Sequence, residues 1–380
     1  MITPFTVTFD PDDLRTRLRR TRWPSAQTAP GWAQGTPLEF ARSLCTYWAD
    51  GYDFDAAAQR LNRHPQFRTV IDGVAIHFLH ARSERPDARP LLMTHGWPGS
   101  VVEFAEVVTP LTTPPPGEPA FHVVCPSLPG YGFSDQPAVA GWTVHRVADA
   151  WAELMTRLDY PRFIAEGHDW GTTISTSLAV RHPHRLIGIH LMPPLVAPLD
   201  PVTPAERKSI ADLTAAATGD GYSLEQSTRP QTIGYALVDS PAALCAWIIE
   251  KFHAWTDHDG DLSTVFTDDQ LLDNLMLYWL PATGASAARL YWESFAEVQA
   301  VFRTGTTDVI TAPTACSVFP REIPHPSRRW AEQRFPNIHY WNEPPRGGHF
   351  AAFEQPALFI QEIRNAAHHW PEPARSRPPA

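Results

Sequence analysis

The chain has 380 residues, of which 43% are hydrophobic and 19% charged, and its formal net charge is -10 at pH 7. This composition is typical of a globular protein longer than one average domain, and the acidic balance argues against a nucleic-acid-binding surface. The four cysteines lie far apart, without the spacing of a disulfide scaffold or a metal site. We also predict no secretory signal, no membrane span and a cytoplasmic location.

The first segment, residues 1–66, carries helix signals but no strand alternation. Asp10 and Pro11 are typical of an N-cap and a first helical residue, and residues 36–39 match a capping box. Tryptophans 23, 32 and 48 add large apolar faces. We therefore predict an N-terminal helical extension that packs on a larger domain.

From residue 67 the hydrophobic period changes to that of strands. Runs 69–72 and 74–80 flank Asp72-Gly73, a pair suited to the positive φ angles of a tight hairpin turn. Further short apolar runs then alternate with helical or loop segments, at 91–94, 122–125, 163–165 and 187–191. This alternation predicts a mostly parallel sheet, and an α/β core whose first part spans 67–195.

Residues 196–304 interrupt this alternation with helix-rich sequence, with helices expected at 204–214, 241–252, 267–280 and 287–302. We predict a helical cap inserted after the sixth strand. The second part of the core then spans 305–370, with strands at 315–319 and 335–340 and a closing helix at 350–367. The proline-rich residues 371–380 are expected to form a flexible tail.

The pentapeptide Gly167-His168-Asp169-Trp170-Gly171 joins a strand-like run to a helix-like run. It matches the strand–turn–helix elbow of α/β-hydrolases, G-x-S-x-G, with Asp169 in place of the serine nucleophile. A carboxylate that attacks saturated carbon leaves an ester, which activated water can cleave, whereas serine would leave an ether. Asp169 thus favours substitution on an epoxide or an alkyl halide. The simpler alternative is an aspartate that only caps the helix.

The run at 91–94 leads into His95-Gly96-Trp97-Pro98-Gly99-Ser100. In α/β-hydrolases this loop supplies one amide of the oxyanion hole, and the residue after the nucleophile supplies the other. We therefore nominate the backbone N–H groups of Trp97 and Trp170, and expect His95, Gly96 and Pro98 to belong to the substrate pocket.

A general base is expected after the last strand, where Arg346-Gly347-Gly348-His349 occurs. Glu322 follows the preceding predicted strand, so that nucleophile, acid and histidine come in the order of this fold. A neutral imidazole oriented by a carboxylate can activate water. Asp200, after the run at 187–191, is the rival acid.

The segment Asp257-His258-Asp259-Gly260-Asp261 is similar to a calcium loop, but its glycine comes too early and Leu262 occupies the sixth position. We predict a surface loop there. Neither a metal nor a cofactor follows from this sequence.

Taken together, these motifs make the chain resemble epoxide hydrolases of the microsomal and juvenile-hormone type, over almost its whole length. The matching segments include 5–24, 95–100, 167–171, 228–241, 278–279 and 346–353. The resemblance implies that Asp169 is the nucleophile, His349 the base and Glu322 its partner acid. It also implies that two cap tyrosines, Tyr222 and Tyr291, hold the epoxide oxygen.

Two departures from the family pattern stand out. The membrane-anchoring helix of the microsomal members is missing, so we expect no membrane association, and His168 stands where those members usually have glycine.

The function implied is conversion of an epoxide to a vicinal diol through an ester on Asp169. Its partners would be a small-molecule epoxide and water, and a homodimer is compatible with the sequence. Two alternatives stay open. A haloalkane dehalogenase has the same aspartate elbow but often places a halide-binding side chain where this chain has Trp97. A catalytically silent ligand-binding homologue need not retain Asp169, His349 and Glu322.

Overall fold

The structure, a computed structural model, describes residues 1–216, 219–305 and 307–370. Nine strands of this described part form one sheet: β1 (Ile2–Phe5), β2 (Gln66–Ile71), β3 (Val74–Ala81), β4 (Arg89–Thr94), β5 (Phe121–Pro126), β6 (Phe163–His168), β7 (Leu186–Met192), β8 (Thr314–Ser317) and β9 (Ile338–Asn342). Their order is β1-β2-β3-β5-β4-β6-β7-β8-β9. The first three pairings are antiparallel, and those from β5 to β9 are parallel.

Fifteen α-helices are described in the same ranges: α1 (Asp12–Arg19), α2 (Leu38–Asp50), α3 (Phe54–Leu61), α4 (Val108–Thr112), α5 (Val144–Arg157), α6 (Trp170–Arg181), α7 (Pro204–Ala216), α8 (Gly221–Thr228), α9 (Pro230–Asp239), α10 (Pro241–Trp255), α11 (Asp268–Trp279), α12 (Gly284–Thr304), α13 (Arg328–Arg334), α14 (Ala351–Glu354) and α15 (Pro356–His368). Helices α7 to α12 lie between β7 and β8 in the chain, where the sequence predicted a helical cap.

The centre of the sheet is closed to solvent. Every residue of β6 and β7 is buried, including polar residues such as Glu166 and His190. Strands covered on both faces are typical of a parallel sheet flanked by helices. The parallel strands point their carboxyl ends to one edge, so the loops after β4, β6, β8 and β9 meet there. This edge carries the candidate active site.

The predicted hairpin is confirmed. Ile71 pairs with Val74 across a turn in which Asp72 and Gly73 have φ angles of 49° and 80°. The predicted strands at the centre of the sheet and the main predicted helices of the insertion are also present, with boundaries that shift by a few residues. The mostly parallel α/β architecture is therefore confirmed.

Other predictions at the N-terminal end were wrong. Residues 2–5 form strand β1, paired antiparallel with β2, so the segment is not purely helical and the helical insertion follows the seventh strand rather than the sixth. Pro11, not Asp10, occupies the N-cap of α1. No capping box forms at α2, because the hydroxyl of Thr36 donates instead to the carbonyl of Ala246 in α10, at 2.8 Å. The predicted tail, 371–380, lies outside the described residues.

In the described ranges, no individual helix has the length and apolar character needed to cross a membrane. Helices α9 and α10 reach that threshold only when taken together, and they are bent by 115° at their junction.

Candidate active site

The elbow after β6 places Asp169 at the carboxyl edge of the sheet. Its backbone has φ 51° and ψ -124°, in the left-handed region that costs a non-glycine residue about 1–3 kcal/mol. The turn is tight, since a Cβ on Gly171 would lie 1.9 Å from the carbonyl oxygen of Thr94. The side chain of Asp169 makes no capping hydrogen bond to α6. Helix capping therefore does not explain this aspartate.

The carboxylate of Asp169 turns instead toward the loop after β4. The backbone N–H of Trp97 donates to its Oδ1 at 2.8 Å. Gly96 lies directly beneath the carboxylate, and a Cβ there would approach Oδ1 to 2.0 Å. Burial raises the pKa of Asp169, while His349 and the amides of Trp97 and Trp170 oppose that rise. Both nominated amides thus favour negative charge at this carboxylate.

Helix α11 holds this loop in place through buried polar side chains. The amide of Asn274 donates to the carbonyl of Pro98 at 2.9 Å, and its oxygen accepts from the Ser100 hydroxyl at 2.7 Å. The hydroxyl of Tyr278 donates to the carbonyl of Gly99 at 2.7 Å. The position of the Trp97 amide therefore depends on the helical insertion.

The expectation that His95, Gly96 and Pro98 line the substrate pocket was wrong. None of them borders the cavity beside Asp169, because their backbone runs underneath the carboxylate. His95 is fully buried, and burial lowers its pKa to about 4, so it is neutral. Its Nδ1 lies 2.9 Å from the carbonyl oxygen of Gly96, and its Nε2 accepts from the backbone N–H of Leu128 at 3.2 Å. These residues shape the loop beneath the carboxylate and do not line the cavity.

The structure brings His349 between Glu322 and Asp169. Its Nδ1 lies 3.0 Å from Oε1 of Glu322, and its Nε2 lies 3.6 Å from Oδ2 of Asp169. Burial by itself lowers the pKa of His349, but the charges of Glu322 and Asp169 and the hydrogen bond to Glu322 raise it to about 9. His349 is therefore cationic near neutral pH while Asp169 is ionised. Asp200, the rival acid, lies on the surface, and among the described residues no contact joins it to His349.

A cavity of about 150 Å³ opens beside Asp169. Both predicted tyrosines, Tyr222 from α8 and Tyr291 from α12, border it together with Asp169, Glu322 and His349. The rest of the lining is mostly apolar: Trp170, Thr172, Thr173, Pro193, Leu195, Phe295, Val298, Phe302, Ile323 and Pro324. The space is suited to a small lipophilic group with one polar atom near the tyrosines.

The two tyrosines are fixed by aromatic packing. The ring of Tyr222 stacks on Trp97, with centroids 4.9 Å apart, and the ring of Tyr291 meets Trp170 edge-on at 4.8 Å. Their own ring centroids are 5.8 Å apart. Burial and the nearby charge of Asp169 raise the pKa of both phenols above the ordinary value, so both carry their protons at neutral pH. Lys251, itself buried, places its ammonium 4.4 Å from the centre of the Tyr222 ring.

Sequence reasoning missed the residues that hold the His349 loop. The backbone N–H of His349 donates to the carbonyl of Trp255 at 3.0 Å, and that of Gly347 donates to Oδ2 of Asp257 at 2.8 Å. Glu354 accepts from the backbone N–H groups of Asp257 and Phe350. Asp257 belongs to the segment predicted to be only a surface loop, and its role depends on a tertiary contact without a sequence signal. Among the described residues, no group of three or more His, Cys, Asp or Glu side chains is arranged to hold a metal ion.

Comparisons with known proteins agree with this geometry. Residues 2–104 match the family model described as epoxide hydrolase N terminus, and residues 89–233 match that of the alpha/beta hydrolase fold. Epoxide hydrolase 1 of Sus scrofa is 34% identical in an alignment of 404 positions that covers 96% of this chain and 88% of the relative.

Two solved structures are similar over nearly the full chain. The juvenile hormone epoxide hydrolase of Bombyx mori superposes with a TM-score of 0.89 at 32% identity, covering 97% of this chain and 94% of its own. The epoxide hydrolase of Aspergillus niger superposes with a TM-score of 0.85 at 31% identity, covering 97% of both chains. Sequence and structure together show that this chain belongs to the epoxide hydrolase family, on the α/β-hydrolase fold.

Proposed function

We propose that this enzyme converts a small-molecule epoxide and water to a vicinal diol through a covalent ester on Asp169. The Trp97 amide fixes Oδ1 of Asp169, while Oδ2 faces His349 beside a cavity that two protonated tyrosines border. Nucleophile, proton donors and base thus share one small space.

In the first step, Oδ2 of Asp169 attacks one carbon of the epoxide. The new carbon–oxygen bond forms as the ring carbon–oxygen bond breaks, and the electron pair left on the ring oxygen takes a proton from Tyr222 or Tyr291. The phenol recovers its proton from the imidazolium of His349 by way of solvent. His349 becomes neutral, which is favoured because esterified Asp169 no longer has the charge that helped raise the pKa of His349.

In the second step, neutral His349 takes a proton from a water molecule, whose oxygen adds to the ester carbonyl carbon. The resulting oxyanion is at Oδ1, where the Trp97 amide already donates and the Trp170 amide also favours negative charge. Collapse breaks the bond from the carbonyl carbon to Oδ2, and the departing diol takes the proton from His349. The carboxylic acid of Asp169 then returns a proton to His349. Glu322 orients the imidazole and stabilises its cation.

The tyrosines favour this reaction over haloalkane hydrolysis. A halide leaves without a proton, whereas the alkoxide of an opened epoxide needs a donor. The complete set of Asp169, His349 and Glu322 likewise favours an enzyme over a silent binding protein. The named relatives from pig, silkworm and Aspergillus niger share the epoxide as substrate class. The cap boundaries at 196 and 304 and the cytoplasmic location stay predictions.

An oxygen-label experiment tests the covalent step. With enzyme in excess over an aryl epoxide in ¹⁸O-water, the diol of a single turnover should contain unlabelled oxygen from Asp169, and the label should appear in the Asp169 carboxylate on peptide mass spectrometry. A diol that carries the label in that first turnover would replace the ester by direct attack of water. An Asp169→Ala variant is the matched control and should form no diol.

A further inference from the structure

The last residue of β6, His168, lies in a buried cluster of charges that the reaction above does not use. Its Nε2 is 3.0 Å from Oε2 of Glu103, and its Nδ1 is 3.5 Å from Oε1 of Glu166. Glu166 is fully buried, and Glu103 and His168 are 1% and 3% exposed. An imidazole between two carboxylates at such depth is favoured as a cation, since burying unpaired carboxylates is costly.

The two carboxylates differ in their hydrogen bonds. Glu103 also accepts from the backbone N–H of Ser100, at 3.1 Å, as part of a capping box. Neither oxygen of Glu166 has a well-formed hydrogen bond to the described residues. Glu103 is therefore the main counter-ion, and its contact with His168 joins the nucleophile elbow to the loop that carries the Trp97 amide.

The electrostatic surroundings agree with this assignment. Burial lowers the pKa of His168, but Glu103 and Glu166 outweigh that effect and raise it well above the ordinary value. Burial raises the pKa of Glu166. The positive charge of His168 in turn lowers the pKa of both Asp169 and His349. Other titratable groups that interact with the cluster are His95, Cys125 and Tyr278.

We propose that His168 is a positioning residue: held as a cation by Glu103 and Glu166 behind the elbow, it acts electrostatically on both Asp169 and His349. Its charge keeps the nucleophile ionised for attack on the epoxide. The same charge repels the proton on His349, which must leave before that imidazole can activate water. His168 does not touch the cavity, so this role acts through the other two residues. The inference rests on the proposed function only where it speaks of reaction rates.

The first test needs no epoxide. In protein labelled with ¹⁵N-histidine, ring resonances follow the protonation of His168 and His349 with pH, and His349→Gln and His168→Gln spectra assign them. Both ring nitrogens of His168 should carry protons at pH 8 in the wild type. In His168→Gln, whose amide can still donate to Glu103, the titration midpoint of His349 should rise by about one pH unit. A neutral His168 at pH 8 would overturn the proposal even if the variant failed to fold.

The second test follows the rates. Alkylation and ester hydrolysis are measured against pH in single turnovers, and His168→Gln should move both midpoints to higher pH by about one unit. Glu166→Gln is the matched control. It removes a carboxylate from the same cluster without breaking a well-formed hydrogen bond, and Glu103 still holds the cation, so both midpoints should fall or stay in place.

The results of these experiments distinguish the positioning role of His168 from the proposed epoxide hydrolysis. If the midpoints do not move in His168→Gln, or if they rise equally in Glu166→Gln, His168 has only a structural role. Diol formation by the wild type would still support the proposed function. If the wild type forms no diol, the proposed function is refuted. The electrostatic effect of His168 on His349 would then be judged from the histidine titrations alone.

Discussion

Nε2 of His349 and Oδ2 of Asp169 form an ion pair at 3.6 Å. In the proposed reaction, alkylation first removes the charge of Asp169, and His349 then acts as the base. Alkylation removes the charge of Asp169 and so lowers the pKa of His349, which begins near 9. Under the proposed mechanism, His349 therefore becomes available as a base only after the ester has formed. This order makes the two steps separable by substitution.

Replacing His349 by Gln should block the second step and spare the first. The ester should accumulate, so that the protein gains the mass of one substrate on intact mass spectrometry, and its hydrolysis should slow by at least about 10²-fold. Asp200→Asn, at the exposed rival acid, is the control and should retain normal turnover. Absence of an adduct from a reactive epoxide would show that His349 acts before the ester forms.

The tyrosines are expected to act in the first step only. Because either phenol can serve the ring oxygen, Tyr222→Phe or Tyr291→Phe should slow alkylation by about tenfold, and the double substitution by about 10³-fold or more. Hydrolysis of an ester already formed should be nearly unaffected. Stopped-flow quenching of tryptophan fluorescence can follow alkylation, since Trp97 and Trp170 contact these rings. An unchanged alkylation rate in the double variant would show that the tyrosines serve packing alone.

At the scale of elements, the segment after α10 is linked to the loop that carries His349. Asp257 accepts from the Gly347 amide and also pairs with Arg321 at 3.2 Å. Asp257→Ala should loosen the His349 loop and slow ester hydrolysis by about tenfold, equivalent to about 1.4 kcal/mol, with alkylation little changed. Asp259→Ala, an exposed carboxylate in the same segment, should leave both steps unchanged. Single-turnover rates are measured for both variants. Equal rates of ester hydrolysis would show that Asp257 does not position the His349 loop.

Some elements of the fold could be predicted from the sequence and others could not. The elbow, the hairpin and the central strands could be predicted because each depends on residues adjacent in sequence. Strand β1 could not, since four residues that include Pro4 form a strand only by pairing with β2. Thr36 matches a capping box, but a carbonyl in α10 binds its hydroxyl. Asn274, Asp257 and Glu354 support the site through contacts with residues far away in sequence, and no local pattern marks such contacts.

For the whole molecule, helix α11 connects the N-terminal segment to the active site. On one face its Asn274 and Tyr278 hold the part of the loop that directly follows Trp97, through the carbonyls of Pro98 and Gly99. The preceding residue, Asp273, accepts from the Tyr52 hydroxyl at 2.5 Å and from the guanidinium of Arg60 at 2.7 Å and 2.8 Å. The N-terminal helices therefore pack on the helical insertion, and they stabilise the helix that positions the loop of Trp97.

Arg60→Leu tests this connection. The side chain of Asp273 is only 7% exposed, whereas that of Arg60 is 38% exposed, so removal of the cation should reduce the free energy of unfolding by about 2 kcal/mol at neutral pH, less than for a fully buried pair. Arg19→Leu breaks a pair with Asp50 in which both side chains are more than half exposed, and should cost less than about 1 kcal/mol. Urea denaturation of both variants gives the comparison.

The pH dependence gives the sharper criterion. Burial already raises the pKa of Asp273, and Arg60 and Tyr52 oppose that rise, so the loss of Arg60 should raise it further. A carboxyl group with a higher pKa in the folded than in the unfolded state binds more protons when folded, and its contribution to stability falls as pH rises between the two values. The deficit of Arg60→Leu should therefore be small in acid and should grow as the pH rises through the pKa of Asp273 in the folded variant. A deficit that does not change with pH would assign the effect to lost packing of the arginine stem and not to the charge of Asp273.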